Sequence, residues 1–448
     1  MATSMDLSPR RFADAVVLRP SGRIDHAAAP AFRAALAPHL ERCAAGQDGV
    51  VLDFAGVDYI SSDGLRVLVL AAKQAREQGG TLLVADLSPR VREIFEITRF
   101  QQVVDIVPTT AEALARVSPA AAATFAGSAG LRVHFWGTRG SIPVGMPGAV
   151  IREKVVTALV AAAGRGIDTP AAARAFIERE LDFSVAQTFG GDSACVEILT
   201  GREERVICDL GSGARRFGNH LLASRGPSGH TVNVFMSHVH WDHIMGFPFF
   251  MPAYLPGNRI RIHGCHPVLE EAFRRQHSAP SFPVDFSRLG ATIEFMVLEP
   301  EREYDIAGLR VRAKKQLHGG DSYGYRFEMG GKTVIYSTDS EHKRDDPAET
   351  EAFVEFFRNA DLVIFDAMYS LADAISVKED WGHSSNIVGV ELCQLARARH
   401  LCLFHHEPIN DDATIARILA ETRRLEEITR RGPGLEVSAA YDGLEIAV

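Results

Sequence analysis

One segment, residues 235–243, reads Phe235-Met236-Ser237-His238-Val239-His240-Trp241-Asp242-His243 and follows an apolar, β-branched run typical of a strand. Alternate strand residues point the same way, so His238 and His240 face one side, and a turn at Trp241 returns Asp242 and His243 to a second point. These four side chains can therefore serve two cations. Neutral imidazole and carboxylate suit Zn²⁺, Fe or Mn²⁺, and the lack of nearby cysteine argues against a closed structural zinc site.

The composition is that of a globular protein with more than one folded unit. At roughly 100–200 residues per domain, a chain of 448 residues predicts two or three domains. Hydrophobic residues make up 46% and charged residues 23%, which excludes disorder, collagen and coiled coil as the main architecture. The formal charge of −9 disfavours an electrostatic attraction between nucleic acid and the molecule as a whole.

No segment of the sequence predicts a membrane span. Two charge-free stretches, residues 117–131 and 244–258, are too short to cross a bilayer and are interrupted by proline. The start of the chain lacks the pure apolar core of a signal peptide. The six cysteines form no CxxC pair and suggest reduced thiols, so we expect a cytoplasmic location.

The pattern along the chain predicts an α/β fold in two parts. Strand and helix signals alternate over residues 12–118, which predicts a small sheet covered by helices. Residues 118–130 are rich in Ala, Ser and Gly and uncharged, and we interpret them as a linker. From residue 131 many short strands predict two packed sheets with helices outside, and residues 150–182 are interpreted as a helical insertion.

The second part resembles the metallo-β-lactamase superfamily over about residues 131–448. The resemblance depends on the HxHxDH segment and on Cys208-Asp209-Leu210-Gly211-Ser212-Gly213. Residues 135–143 (FWGTRGSIP) and 189–193 (FGGDS) look like the phosphodiesterase and ribonuclease Z-like branch. The resemblance implies an αββα sandwich that holds two divalent metal ions, with zinc favoured and manganese or iron as alternatives.

The resemblance also implies ligands outside the HxHxDH segment. His318, Asp339 and His405 match the family's remaining ligand positions, with His406 as a rival for the last one. One metal would be held by three histidines and the other by a carboxylate and two histidines, with Asp339 between them. The two sets are His238, His240 and His318, and Asp242, His243 and His405.

The same branch carries a histidine in an HST-type loop that assists the leaving group. Trp381-Gly382-His383-Ser384-Ser385 has that form, and Asp366 stands where a supporting carboxylate is common. His383, Asp366 and the ligand Asp242 are therefore the catalytic candidates. The alternative for His383 is a cap on the helix that starts near Ser385. We expect Asp209 to orient the HxHxDH loop.

Four aromatic residues follow or interrupt the HxHxDH segment. They are Trp241, Phe247, Phe249 and Phe250. We expect all four to belong to the hydrophobic core rather than to a platform for substrate.

The first part resembles the STAS family of anti-sigma factor antagonists over about residues 8–117. The resemblance depends on residues 22–25 (GRID), 51–54 (VLDF) and 59–65 (YISSDGL). It implies a kinase or anti-sigma-type protein partner and phosphorylation at Ser62. A serine before a helix also suits a phosphate physically, because the helix dipole and free N–H groups lie there. The alternative is that Ser61 or Ser62 only caps the helix.

We therefore expect a regulatory dinuclear metal-dependent hydrolase that cleaves a small phosphodiester, such as a cyclic nucleotide. The alternative is an adaptor whose di-iron centre senses oxygen or redox state and signals through the STAS domain. RNA processing and lactamase activity are weaker hypotheses, because the chain is acidic and because a fold alone does not determine a substrate. A homodimer is compatible with the sequence.

Overall fold

The structure is a computed structural model, and it describes residues 7–44, 48–128, 131–342, 346–369 and 382–448. The chain forms two compact units, Met1–Ala129 and Gly130–Val448. Each unit has its own hydrophobic core.

The first unit is built on a four-stranded sheet of order β1-β2-β4-β6, with β3 and β5 paired separately. Strands β2, β4 and β6 are parallel and every residue in them is buried, which explains their continuous apolar sequences. The strands are β1 (Arg10–Phe12), β2 (Ala15–Leu18), β3 (Gly22–Ile24), β4 (Gly49–Asp53), β5 (Val57–Ile60) and β6 (Leu82–Ala85).

Helices of the first unit pack their apolar faces on these strands. Phe32 and Leu36 of the first helix and Leu68 and Ala72 of the second are buried with the strand residue Leu52. The helices are α1 (Ala29–Glu41), α2 (Ser62–Glu77), α3 (Pro89–Ile97), α4 (Thr110–Val117) and α5 (Pro119–Ser128).

Helix α5 corrects the expected linker at residues 118–130, of which 129 and 130 lie outside the described residues. Alanine is the strongest helix former, and the Ser118 hydroxyl accepts a hydrogen bond from Ala121 N at 3.0 Å at the start of the helix. The Phe125 ring packs on Phe12, with the two ring centroids 5.1 Å apart. This segment is therefore part of the first unit rather than a free tether.

The second unit contains two seven-stranded sheets within the described residues, which confirms the αββα expectation. The first sheet has the order β12-β11-β10-β9-β8-β7-β20 and the second the order β13-β14-β15-β16-β17-β18-β19. The strands are β7 (Arg132–Gly137), β8 (Cys195–Leu199), β9 (Arg205–Cys208), β10 (Thr231–Phe235), β11 (Arg259–Gly264), β12 (Thr292–Val297), β13 (Glu303–Ile306), β14 (Leu309–Gln316), β15 (Ser322–Met329), β16 (Lys332–Ser337), β17 (Leu362–Asp366), β18 (His400–Phe404), β19 (Glu436–Ala439) and β20 (Glu445–Ala447).

Large buried aromatic side chains fill the space between the two sheets. Phe135 and Phe235 come from the first sheet and Tyr325, Tyr336 and Phe404 from the second. Strands β9 to β12 run parallel to one another, as do β16 to β19. Loops that follow parallel strands leave at one edge of a sheet, and the candidate site lies on such loops.

Helices cover the outer face of each sheet. Phe217 and Leu221 pack on the first sheet, and Phe353 and Leu392 pack on the second. The helices are α6 (Gly148–Ala162), α7 (Pro170–Glu180), α8 (Phe183–Ala186), α9 (Gly213–Arg225), α10 (Trp241–Ile244), α11 (Leu269–Gln276), α12 (Pro347–Phe357), α13 (Asn386–Ala396) and α14 (Asp412–Thr429). Helices α6 and α7 occupy the expected insertion at residues 150–182.

None of the helices in the described residues combines the length and the apolar character that a bilayer crossing requires.

Candidate metal centre

The candidate metal ligands lie in loops directly after strands of both sheets. His238 follows β10, Asp339 follows β16 and His405 follows β18. Asp339 and His405 adopt the left-handed backbone region, with φ of 43° and 59°. Residues other than glycine rarely take this conformation, and here it turns the chain sharply at the end of the strand.

His238, His240 and His318 form the first group of converging side chains. His318 Nε2 lies 3.1 Å from His240 Nδ1. The Asp339 Oδ2 atom lies 3.6 Å from His238 Nε2 and 3.8 Å from His318 Nε2. Three imidazoles and one carboxylate oxygen therefore face a common point.

Asp242, His243, Asp339 and His405 form the second group, and all four are buried. His243 Nε2 lies 3.2 Å from Asp242 Oδ2 and 3.2 Å from Asp339 Oδ1. His405 Nε2 lies 3.3 Å from Asp242 Oδ2 and 3.2 Å from Asp339 Oδ1. The two carboxylate oxygens of Asp339 thus face different groups, so the structure brings together all seven residues that the sequence singled out.

The donor set fits a pair of divalent cations. His238 Nε2 is buried without a hydrogen-bond partner, which is costly for a polar atom that has no cation beside it. His243 Nε2 and His405 Nε2 approach within 3.3 Å of each other. Nitrogen and oxygen donors without thiolate are the ligands that zinc, manganese and iron share.

Burial and neighbouring charges act in opposite directions on the pKa values of the cluster. Burial lowers the pKa of His238, His240 and His318, which favours the neutral imidazoles that metals require. Burial also disfavours the charged form of Asp339, but the neighbouring imidazoles outweigh it and lower the pKa of that carboxyl. The three histidines of the first group therefore favour the neutral form, whereas at His243 the effect of burial is outweighed by the carboxylates of Asp339, Asp242 and Asp209, which raise the pKa of that imidazole.

Asp209 holds the HxHxDH loop from behind, as expected. Its Oδ2 lies 2.7 Å from His243 Nδ1, and since a carboxylate can only accept, that nitrogen carries a proton, while Nε2 faces Asp339 Oδ1 at 3.2 Å. Asp209 also accepts hydrogen bonds from Ser237 N at 2.8 Å and from the Tyr336 hydroxyl at 2.7 Å. These contacts fix the tautomer and the orientation of the His243 ring.

His383 and Asp366 form an ion pair beside the cluster. His383 Nδ1 lies 2.8 Å from Asp366 Oδ2, and the His383 ring stacks on His405 with centroids 5.2 Å apart. Burial alone would lower the pKa of His383, but the Asp366 carboxylate raises it to about 9. The cap of the following helix is Ser385, whose hydroxyl accepts from Val388 N, so His383 is free of that role. Trp381 of this motif lies outside the described residues.

An open cleft of about 410 Å³ adjoins His383. Its lining combines apolar and polar side chains. The lining residues are Ser141, Met368, Tyr369, His383, Glu407, Pro408 and Ile409.

The FWGTRGSIP segment contributes to the site in a way that the sequence analysis missed. Ser141 N donates a hydrogen bond of 2.8 Å to Asp242 Oδ2. A Cβ atom on Gly140 would lie 2.5 Å from the His405 ring, so glycine is required at this close approach. Arg139 is buried and donates to Gly190 O at 2.9 Å and to Asn410 O at 2.8 Å. In the sequence, these contacts were indicated only by the resemblance of residues 135–143 to the family motif.

Two expectations about individual residues are resolved by the structure. His406, the rival of His405, points away from the cluster and lies 2.8 Å from Ala440 O through its Nε2. Phe247 and Phe250 are buried as expected, but Trp241 and Phe249 are 82% and 56% exposed, which corrects their assignment to the core. Trp241 begins a one-turn helix whose next three residues turn inward, so its own side chain faces outward.

In the first unit, the two serines at the start of α2 have different roles. Ser61 is the cap, and its hydroxyl accepts a hydrogen bond from Gly64 N. Ser62 is the first residue of the helix and is exposed. Asp63 lies 2.7 Å from His26 Nδ1 through its Oδ2 atom.

Two family models match the chain. The STAS domain matches residues 8–113, and the beta-lactamase superfamily domain matches residues 204–406.

The chain is also similar to individual proteins over part of its length. The anti-sigma-B factor antagonist of Bacillus subtilis is 36% identical over 86 residues, which cover 19% of this chain and 75% of that protein. A ribonuclease Z of Streptococcus equi subsp. zooepidemicus is 24% identical over 291 residues, covering 53% of this chain and 93% of that protein. The solved metallo-beta-lactamase fold protein YhfI of Bacillus subtilis is 16% identical with a TM-score of 0.47, covering 70% of this chain and 98% of that one.

The second unit has the two-sheet sandwich described above and matches the beta-lactamase superfamily domain over residues 204–406, and through its first unit the chain belongs to the STAS family.

Proposed function

We propose that the second unit hydrolyses a small phosphodiester with two divalent metal ions, zinc being favoured. The observation that carries the proposal is the position of Asp339, whose two carboxylate oxygens face two separate groups of ligands. His238, His240 and His318 would hold one ion, and Asp242, His243 and His405 the other. Bound there, the ions would supply Lewis acidity and activated water for attack on phosphorus.

His383 is the proposed proton donor for the departing oxygen. Its Nδ1 faces Asp366, so the ring is held in one orientation and its other nitrogen is left for the substrate. The raised pKa of His383 keeps the ring protonated at neutral pH, which is the form that a general acid needs. Asp366 is thus a positioning residue that also stabilises the charged imidazole.

The cleft beside His383 supports a small substrate. Its volume of about 410 Å³ falls within the range of about 300–1,000 Å³ that is usual for small-molecule sites. The formal charge of −9 gives a long nucleic acid no general electrostatic attraction. A relative that is named a ribonuclease supports phosphodiester chemistry rather than hydrolysis of another ester class.

The first unit is proposed to regulate or dock the hydrolase through a kinase or anti-sigma-type protein. The relative named an anti-sigma-B factor antagonist supports that class of partner. Ser62 is the proposed phosphorylation site, because it is exposed at the start of α2 while Ser61 makes the cap. All six cysteines are free and buried, which supports a reducing compartment such as the cytoplasm.

Hydrolysis of bis-(p-nitrophenyl) phosphate by protein loaded with Zn²⁺ or Mn²⁺ tests the proposal. We expect Asp339→Ala to lower the rate by about 10³-fold or more, because it removes the carboxylate between the two ligand groups. Metal content, measured by mass spectrometry, should fall in the same variant. Asp305→Ala, an exposed carboxylate on β13, is the matched control and should leave both unchanged.

Two results would refute the phosphodiesterase proposal. One is a metal-loaded wild-type protein without activity on this substrate. The other is an Asp339→Ala variant that keeps the wild-type rate and metal content.

A further inference from the structure

Residues 407–410 form a tight turn that follows strand β18 in the chain. Asn410 N donates a hydrogen bond of 3.0 Å to Glu407 O, which closes the turn. Pro408 occupies the second position of the turn, where its fixed backbone angle is favourable, and Ile409 occupies the third. The Ile409 side chain is 83% exposed, so the turn presents a large aliphatic group at its apex.

The buried guanidinium of Arg139 holds both ends of this turn. Arg139 Nη1 donates to Asn410 O at 2.8 Å and to Glu407 O at 3.3 Å. Its Nε donates to Gly190 O at 2.9 Å, which ties the turn to a second segment of the unit. Burial lowers the pKa of Arg139, and the nearby Asp412 carboxylate opposes that effect. A buried charge is costly unless it is hydrogen-bonded and compensated, and here those contacts preform the turn.

The turn forms one wall of the cleft of about 410 Å³ beside His383. The Tyr369 ring contacts the His383 ring edge-to-face, with their centroids 5.3 Å apart, and both rings line the same cleft as Ile409. Met368 and Pro408 add further apolar surface to the lining. A group that binds beside His383 is therefore adjacent to a preformed apolar wall.

We propose that Arg139 is a positioning residue and that the turn it holds packs Ile409 against an apolar or aromatic ester group of the substrate. The inference rests on the proposed phosphodiesterase function, in which His383 donates a proton to the departing oxygen. The group that this oxygen carries then lies in the cleft beside His383. Removal of its apolar surface from water favours binding, and a wall that is already ordered loses little conformational entropy when the substrate binds.

The charges around the cleft favour an uncharged ester group over one that carries a further phosphate. Among the lining residues that the structure describes, Glu407 is the one acidic residue, and neither lysine nor arginine is present. A second phosphate would therefore compete with the reacting phosphate for His383, which is the one cationic group on this lining. The substrate class that fits is a phosphodiester with at least one neutral, apolar ester group.

Binding of two phosphodiesters of equal charge tests the inference. Diphenyl phosphate and dimethyl phosphate differ only in their ester groups, so the ratio of their dissociation constants measures the apolar contact. We expect full-length protein loaded with Zn²⁺ to bind diphenyl phosphate at least about 10-fold more tightly, measured by calorimetry. Ile409→Ala should reduce this ratio about 3–10-fold. Ile428→Ala on α14, where Ile428 is 67% exposed, is the matched control and should keep the ratio.

Arg139→Gln should reduce the same ratio, because the shorter side chain cannot donate to both carbonyls of the turn. A partial loss of folding or of metal would weaken both probes equally and leave the ratio unchanged, so the ratio distinguishes positioning from a purely structural role. If Arg139→Gln fails to fold, Arg139→Lys replaces it, since it keeps the buried charge. We expect a reduced ratio there too, because an ammonium group lacks the planar fork of the guanidinium.

Failure of this inference is distinguishable from failure of the proposed function. A wild-type ratio close to one, no binding of either probe, or a ratio that Ile409→Ala or the Arg139 variant leaves unchanged would overturn the inference, even for a protein that hydrolyses bis-(p-nitrophenyl) phosphate. A protein that shows the expected ratios but hydrolyses no phosphodiester would refute the proposed function and support the apolar wall as a binding site.

Discussion

The metal-ligand cluster of the second unit and the serine loop of the first differ in how their polar groups are satisfied. In the cluster, His238 Nε2 is buried without a hydrogen-bond partner, and carboxylate oxygens lie close to several imidazole nitrogens. In the serine loop, Ser61 caps Gly64 N, His26 pairs with Asp63, and Ser62 is exposed to water. The cluster thus keeps a buried nitrogen that a cation would satisfy, whereas the polar side chains of the loop are hydrogen-bonded or exposed to water.

His383→Ala should produce the largest effect among the changes that spare the metal ligands. We expect a loss of about 10²–10⁴-fold in kcat on bis-(p-nitrophenyl) phosphate, with metal content preserved, because a proton donor is removed. His26→Ala, at the exposed pair in the serine loop, is the control and should leave kcat unchanged. A His383→Ala variant with the wild-type kcat would show that the proton comes from elsewhere.

The pH dependence of activity in Asp366→Asn also tests whether His383 is the proton donor. A general acid works while it is protonated, so activity should fall as pH rises through the pKa of His383, which is about 9. Loss of the Asp366 charge lowers that pKa, and we expect the decline to begin at a lower pH than in the wild type. Rate profiles of both proteins between neutral and alkaline pH measure the shift, and coincident profiles would contradict the assignment.

Asp209→Asn should act on the cluster through its contact with His243. Asp209 accepts from His243, the Ser237 hydroxyl and Tyr336 through Oδ2 and from Ser237 N through Oδ1, and an amide can accept through only one of these two atoms. We expect metal affinity, measured by competition with a chelator, to fall about 10–100-fold. Tyr336→Phe removes one of these hydrogen bonds without touching a ligand, and its effect should be smaller. Equal effects would indicate that Asp209 supports the fold alone.

Ser61→Ala should have the smallest effect, because it breaks one hydrogen bond in a loop that is otherwise satisfied. The loss of the helix cap should cost about 1 kcal/mol of stability in the first unit. Hydrogen–deuterium exchange of the first turn of α2 should speed up, while phosphodiester hydrolysis stays constant. Ser62→Ala is the paired control and should leave exchange unchanged, since Ser61 makes the cap.

The ligands that are close together in the chain could be predicted from their spacing, whereas the distant ones could not. His238, His240, Asp242 and His243 lie within six residues, so strand alternation and one turn are enough to predict two groups of ligands. His318, Asp339 and His405 lie far apart in the chain, and only resemblance to a family pointed to them. The sheet order that brings their strand ends together depends on long-range pairing, which local sequence does not encode.

Local composition was misleading where tertiary contacts decide the outcome. Residues 118–130 have the composition of a linker, but their alanines form α5 and Phe125 packs on Phe12. Trp241 and Phe249 have the character of core residues, but the turn that brings Asp242 and His243 inward leaves Trp241 outside. In the first case the deciding contact is with Phe12, which is distant in sequence. In the second case Trp241 faces outward because its neighbours Asp242 and His243 are buried.

The residues at three strand ends combine a strained left-handed backbone with the side chains that form the candidate metal centre. Asp209, Asp339 and His405 have φ of 60°, 43° and 59°, a region in which glycine avoids the strain of a side chain. Replacement of Asp339 or His405 by glycine would relieve that strain while it deletes a candidate ligand, whereas glycine at Asp209 would also leave the buried donors of Ser237, His243 and Tyr336 without their acceptor. Directed evolution that rewards thermal stability alone would therefore tend to erase this centre, and a thermostability screen of the enzyme needs a parallel selection for turnover.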